Sequence, residues 1–360
     1  MTKYLQIVEI LKKEIFSEQY KNGDTFPGVF AIGERFAVSH LTAVKIIKCL
    51  EGMHLVESRR GIGTFVIKET RQFVFLSPAF GSALFFPIIR KEISELCQKN
   101  NITLKICEVP YGDSKDFAKR FMDEAQKIIA LNPKGVIYLP AANVTRNIDC
   151  ISPSKDIDRQ IIKALDDAKI PVTLIDSGIE SPMEESHDLI GVNNISIGMK
   201  LANHLAEKGA KRLLFVSWMS KSPNIQERLD GAKIVATEKG LHFQAWQLTK
   251  ANLKEFRILL QAAERPDAII ASSDRVALMI LHILKKKNIS VPDEIMLCGV
   301  DNTELAGAAI PSLTSIHQPY HEIARVACET LLNRISRPKT SPRHITIATT
   351  LIQRQSTSRA

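Results

Sequence analysis

The sequence predicts an α/β protein in two parts: a small N-terminal α+β unit of helices and a hairpin, then a two-lobed body of doubly wound parallel sheets. Three observations carry this expectation. From Tyr4 to Met53 apolar residues recur at spacings of three and four, the period of amphipathic helices. From Phe73 onward, short apolar runs alternate with helix-length stretches, the pattern of βαβ units. The chain has 360 residues, more than the roughly 250–300 that one core holds, and more βαβ units than one open sheet takes.

Composition narrows the classes. Apolar residues at 45% and charged residues at 24% are ordinary for a globular protein and exclude a disordered or fibrous chain. The net charge of +9 is spread along the sequence, with ten basic against eight acidic residues in 1–70, so it favours anionic partners only mildly. The six cysteines form no C-x-x-C pair and read as buried thiols in a reducing compartment, and no His/Cys/carboxylate spacing marks a metal site or demands a cofactor. The opening stretch MTKYLQIVEILKKEIF is charged throughout and no run of about 18 apolar residues occurs. The expectation is a cytoplasmic protein that does not enter a membrane.

Taken in order, Tyr4, Leu5, Val8, Leu11, Ile15 and Phe16 mark a first helix. Gly23-Asp24 and Phe26-Pro27-Gly28 then turn the chain before a short helix over Val29–Phe36. Ala37-Val38 makes a tight turn, and Ser39 caps a third helix. Its spacing puts Leu41, Val44, Ile47, Leu50 and Met53 on the buried side and His40, Thr42, Lys45 and Lys48 outside. Leu55–Ser58 and Thr64–Ile67 read as two strands around the basic tip Arg59-Arg60-Gly61-Ile62-Gly63. A helix fits the major groove of DNA, and an arginine-bearing wing reaches phosphates beside it.

The run Phe26-Pro27, Glu34-Arg35-Phe36-Ala37-Val38-Ser39, Thr42 and Arg60-Gly61-Ile62-Gly63-Thr64-Phe65-Val66 resembles the GntR family of winged helix-turn-helix regulators over residues 4–67. The resemblance implies DNA contacts from Arg35, Ser39, His40, Thr42, Lys45, Lys48, Arg59, Arg60, Gly61 and Gly63. The family usually has Arg where this chain has Phe30, His40 and Val44, so three implied contacts are missing or altered: if Lys45 and His40 substitute, the operator differs from the usual family sites, and if they do not, affinity is low.

After the polar joint at 69–72, strands are predicted at Ile102–Val109, Gly135–Leu139, Val172–Ile175, Leu189–Val192, Arg212–Val216, Ala268–Ala271 and Ile295–Val300. Helices fall at Phe86–Lys99, Phe117–Leu131, Ile157–Ala168 and Ile197–Lys208. Pro171 before a new apolar run suggests that a second sheet starts there. Two doubly wound lobes leave a cleft, and ligands sit beyond the carboxyl ends of the strands. Asp176, Ser273, Asp274, Asp301 and Asn302 lie there; each also suits a cap or a loop contact. Trp218 and Trp246 read as core, with a second stacking surface for a ligand as the other reading.

The stretches Ala271-Ser272-Ser273-Asp274-Arg275-Val276-Ala277-Leu278, Val291-Pro292-Asp293-Glu294-Ile295, Cys298-Gly299-Val300-Asp301-Asn302 and Pro311-Ser312-Leu313-Thr314-Ser315-Ile316-His317-Gln318-Pro319 resemble the effector domain of the LacI family, itself similar to periplasmic sugar-binding proteins. The likeness spans about residues 73–355; the combination with a GntR-like head resembles arabinose-type repressors. It implies effector contacts from Phe85 or Phe86, Asp176, Arg228, Ser273, Asp301 and Gln318, with Asp274 alongside. Carboxylates that accept from hydroxyls, a forked Arg donor and an aromatic ring suit a sugar.

The expected organisation is 1–68 for the DNA reader, 69–72 for a linker and 73–360 for the effector domain. Its lobes are expected at about 73–170 plus 303–331 and 171–302 plus 332–356. The expected function is a ligand-responsive transcription repressor, a homodimer on palindromic double-stranded DNA. Two other readings stay open: a sensor acting through a protein partner, and a sugar-binding protein without a regulatory role. No G-x-S-x-G elbow, P-loop or H-E-x-x-H supports an enzyme.

Overall fold

The computed structural model describes residues 3–16, 19–53, 55–67, 71–79, 85–100, 102–110, 114–141, 155–180, 184–218 and 222–358. The side chains of Arg71, Phe85, Phe86, Ser114, Lys115 and Lys155 fall outside this description. The chain forms two compact units, Met1–Gln72 with Cys97–Thr103, and Phe73–Leu96 with Leu104–Ala360.

In the head, helices α1 (Lys3–Phe16), α2 (Val29–Phe36) and α3 (His40–Gly52) close over Leu11, Ile15, Ile32, Ile46 and Leu50. The turn between α2 and α3 puts Ala37 in the left-handed region at φ 49°, and Val38 N–H closes it on the Gly33 carbonyl at 3.0 Å. Ser39 caps α3, its Oγ accepting from Thr42 N–H at 3.3 Å.

The phase of α3 differs from the expectation. Its buried residues are Ala43, Ile46, Ile47 and Leu50, whereas Leu41 is 81% exposed and Val44 half-buried. The stripe that starts at Leu41 is equally apolar in sequence; packing against α1 and α2 selects the one that starts at Ala43. The wing also gains a strand: β1 (Thr25–Phe26) pairs with β3 (Gly63–Val66), which pairs with β2 (Val56–Arg59). Phe26 is thereby buried. At the tip Ile62 N–H reaches the Arg59 carbonyl at 3.0 Å, and Gly61, third in this turn, takes φ +75°, which is why the position suits glycine.

The body contains two six-stranded sheets. In chain order its first elements are β4 (Arg71–Ala79), α4 (Phe85–Lys99), β5 (Ile102–Pro110), α5 (Ser114–Leu131), β6 (Gly135–Tyr138), α6 (Lys155–Asp167), β7 (Val172–Ile175) and β8 (Asp188–Val192). There follow α7 (Asn194–Glu207), β9 (Arg212–Trp218), α8 (Pro223–Glu238), β10 (His242–Leu248), α9 (Leu253–Leu259), β11 (Ala268–Ala271), α10 (Asp274–Lys286) and β12 (Met296–Asp301). The chain ends with α11 (Glu304–Ala308), β13 (Thr314–His317), α12 (Tyr320–Ser336), β14 (His344–Ile347) and β15 (Thr350–Ile352).

The first sheet runs β14-β8-β7-β6-β4-β5 and the second β10-β9-β11-β12-β13-β15. Strands β6, β7 and β11 are buried at every position, since helices cover both faces; this produces apolar runs in place of alternation, broken in β7 by the buried Thr173. Ile137 pairs with Thr173 and Thr173 with Asp188, so β7 and β8 extend the first sheet. The expected start of a second sheet at Pro171 is therefore corrected: the chain crosses at Asn193. Proline just before a strand costs no ladder bond and says nothing about which sheet receives the strand. The chain returns at Gln318-Pro319, where α12 packs on β6, β7 and β8, and crosses a third time between β14 and β15. The lobes are thus 71–192 with 320–347, and 194–317 with 350–358, which also corrects the expected changes at 302/303 and 331/332. Arg71 and Gln72, expected in the joint, already belong to β4; residues 68–70 lie outside the described residues.

Candidate functional site

Each lobe delivers one carboxylate from the C-terminal end of a strand. Asp176 follows β7 in the first lobe and Asp301 ends β12 in the second. Both hold positive φ, +75° and +114°, and Asn302 follows at +51°. Non-glycine residues adopt such angles at a cost of order 1–3 kcal/mol, and a pair of them at facing strand ends marks a place where side-chain aim outweighs backbone comfort.

Arg228 enters from α8 of the second lobe. Helices α7 and α8 touch backbone to backbone: a Cβ on Gly198 would lie 1.9 Å from the Arg228 carbonyl oxygen, and one on Gly231 2.0 Å from that of Ile195. That contact sets the depth of Arg228, which is buried. Its Nε donates to Asn194 Oδ1 and its Nη1 to the Ser272 carbonyl, both at 2.8 Å. Among the described residues no other hydrogen bond is made by the guanidinium, and Nη2 has no acceptor there.

The carboxylates are oriented in turn. Asp176 Oδ2 accepts from Asn224 Nδ2 at 2.8 Å, a bond between the lobes. Asp301 Oδ1 accepts from Gln318 Nε2 at 2.8 Å and from the Tyr320 hydroxyl at 3.0 Å. Burial pushes the Asp176 carboxyl up to about 6 against the pull of the Arg228 charge, with the Asp301 charge adding to the rise. Burial likewise raises Asp301, again opposed by Arg228. Two carboxylates facing one guanidinium leave the site rich in acceptors, with one fork of donors.

The structure thus brings together Asp176, Arg228, Asp301 and Gln318. Asn224 and Tyr320 join them without having been singled out from the sequence. Asn224 sits four residues before Arg228, hence on the same helix face; Tyr320 opens α12 two residues after Gln318. Ser273 caps α10, its Oγ accepting from Val276 N–H at 3.4 Å. Asp274 is fully buried and turned into its own lobe, where it accepts from Thr303 N–H at 2.7 Å and from Ser315 Oγ at 2.6 Å. Burial holds its carboxyl up to about 7. It pins the β12–α11 turn and does not face the cleft. Phe85 and Phe86 open α4, but their side chains are outside the described residues. Trp218 and Trp246 pack on the second-lobe core around Ile269 and Leu297.

On the head, His40, Lys45, Lys48, Arg59, Arg60, Gly61 and Gly63 are exposed, and Thr42 is half-buried. Lys45 Nζ lies 4.0 Å from the Tyr4 ring centroid, while Arg59 pairs with Glu57 at 3.1 Å and stands 5.0 Å from the Phe65 ring centroid. Arg35 is tied to Glu14 at 2.5 Å and covers Phe36, so its role in the structure is to join α2 to α1. Phe30, which stands where the family usually has Arg, is 80% exposed and 5.4 Å from the His40 ring between centroids; Leu41, expected on the buried side, is exposed beside it.

Fold and site together define a helix-turn-helix head joined to a two-lobed binding domain. More particularly, residues 3–66 match the family model of bacterial regulatory proteins, gntR family, and residues 202–357 match that of the periplasmic binding protein-like domain. The chain carries a GntR-type helix-turn-helix domain followed by a periplasmic-binding-protein-like domain. It is similar to the ribose operon repressor of Escherichia coli strain K12, 26% identical over 193 residues; the match covers 52% of this chain and only 58% of that protein. To the HTH-type transcriptional repressor PurR of Vibrio atlanticus it is 25% identical over 308 residues, covering 83% of this chain and 84% of that one. Among solved structures, the transcriptional regulator CelR–cellobiose complex superposes with a TM-score of 0.66 at 20% identity, over 92% of this chain and 100% of that one. A LacI-family regulator of Enterococcus faecium with bound ribose gives 0.63 at 19%, over 79% and 98%. No helix among the described residues is long and apolar enough to cross a membrane.

Proposed function

We propose that this chain is a cytoplasmic, ligand-responsive DNA-binding repressor that acts as a homodimer on a palindromic operator and whose effector is a sugar or similar polyol. The observation that carries this is the meeting of Asp176 and Asp301, one from each lobe, around the buried fork of Arg228. Adjacent hydroxyls of a polyol donate to the carboxylates and accept from Nη2, so a bound sugar bridges the lobes. The names of the relatives, a ribose operon repressor and PurR, and the cellobiose and ribose held by two structural neighbours support the same reading; those relatives are repressors, not enzymes.

In this mechanism effector binding favours the closed arrangement of the lobes, and operator affinity shifts by the differential affinity of effector for the two states, typically about 1–3 kcal/mol. The test is titration of the purified protein against fragmented genomic DNA over a range of salt, with and without a sugar mixture. A few fragments are expected to be selected, with affinity falling steeply as salt rises and changing with sugar. Binding no better than to random DNA at low salt overturns the reading.

A further inference from the structure

The DNA-facing surface of α3 is divided. Its outward residues His40, Leu41, Val44, Lys45 and Lys48 lie on one face; the C-terminal half is basic, and no acidic residue occurs in the helix before Glu51. The N-terminal half is apolar and open: Leu41 is 81% exposed, and Phe30 from α2, 80% exposed, tilts its ring against His40. The surface charge suits an anionic partner, and the matched domain family is one of regulatory helix-turn-helix proteins, so the occupant argued for is double-stranded DNA.

An arginine at this tip grips guanine through O6 and N7, acceptors that go unpaired and desolvated beneath a phenyl ring. Thymine instead presents a C5 methyl in the major groove, which an aromatic or aliphatic side chain covers. The geometry points to Phe30 and Leu41 as specificity-determining residues that read thymine methyl groups, selecting A·T pairs at the half-site positions beneath the start of α3. This rests on the DNA-binding reading above and names what that surface recognises.

The experiment uses full-length protein and a fragment selected from genomic DNA, compared with the same duplex carrying deoxyuridine for thymine at single positions. Base pairing and charge are unchanged; only the methyl is lost. The wild type is expected to lose roughly three- to tenfold in affinity at one or two positions per half-site, the worth of one buried methyl. Phe30→Ala and Leu41→Ala are expected to weaken binding to the thymine duplex by a similar factor, to be indifferent to deoxyuridine, and to keep the wild-type dependence on salt, since no charge is removed. Phe30→Arg, a surface change that leaves the core intact, is expected to move the preference at that position toward guanine. Selective binding by the wild type that ignores every deoxyuridine substitution overturns this inference and leaves the DNA-binding reading standing; absence of any selective binding overturns both.

Discussion

At the residue scale Arg228 is buried and held at two donors, and in the proposed function the rest of its fork serves the effector. Arg228→Ala leaves Asn194 Oδ1 and the Ser272 carbonyl without this donor and deprives an effector of its fork, so effector affinity should fall by ~100-fold while operator affinity without effector stays near wild type; paired calorimetric and DNA titrations check both. The pH dependence follows from Asp176 and Asp274, whose carboxyls rise to about 6 and about 7. A carboxyl raised on folding contributes stability that is fully present below its ordinary pKa and is lost as pH rises through the folded value. Thermal stability of the ligand-free protein should therefore decline between about pH 4 and pH 7 on account of these two groups, while polyol affinity, which needs ionised Asp176, improves through pH 6. Asp176→Asn should flatten the affinity trend and reduce the stability trend to the part due to Asp274, and unchanged pH profiles in this variant would contradict the assignment. Asp301, Arg228 and Gln318 were legible in the sequence through their family motifs. Asp274 was misread because a position after a strand suits a buried turn-holding carboxylate as well as a ligand contact. Asn224 and Tyr320 escaped because their placement depends on how far α8 and α12 enter the cleft.

Between residue and lobe stand the elements, and the contact of α7 with α8 is the one on which the site depends. Gly231→Ala places a methyl 2.0 Å from the Ile195 carbonyl oxygen. The helices must separate, at a cost of about 1–3 kcal/mol, and Arg228 moves with α8. Thermal denaturation should show the loss of stability and effector titration a parallel loss of affinity. In the wing, Gly61→Ala meets no neighbouring atom but must hold φ +75°, costing about 1 kcal/mol locally. Operator affinity is expected to drop several-fold with the body's melting unchanged. Elements with continuous apolar runs, such as Ala268–Ala271, were readable to the residue, because burial on both faces leaves no room for polar alternation. His242–Leu248 was not: as an edge strand it is largely open to solvent and mixes polar with apolar residues. The phase of α3 was unreadable for a different reason, since Leu41 belongs to the outward surface that the sequence offered no means of distinguishing from core.

For the whole molecule, the proposed linkage predicts that effector at a hundred times its dissociation constant stabilises the body by about 2.7 kcal/mol, seen as a shift in its melting transition. Lys48→Ala or Arg60→Ala should weaken DNA binding uniformly across sequences and reduce the slope of log affinity against log salt by about one each. The overall plan was legible as alternating strands and helices, but the assignment of strands to lobes was not, because crossing points are set by sheet pairing between segments far apart in sequence. His344–Ile347 completes the first sheet against β8, and α12 covers that sheet, although both are encoded after residues 194–317 of the second lobe.

The ribosome delivers this chain from one end, and the three crossings decide what has finished when. The head has all of its helices and wing once Gln72 has emerged. The first lobe, begun next, waits with an open edge while β9 to β13 are made, and the second lobe waits for Thr350–Ile352 to pair with β13. Release from translation before His344 thus abandons two unfinished lobes rather than one complete and one missing, because the edges of β8 and β13 are then both without their last partner strand.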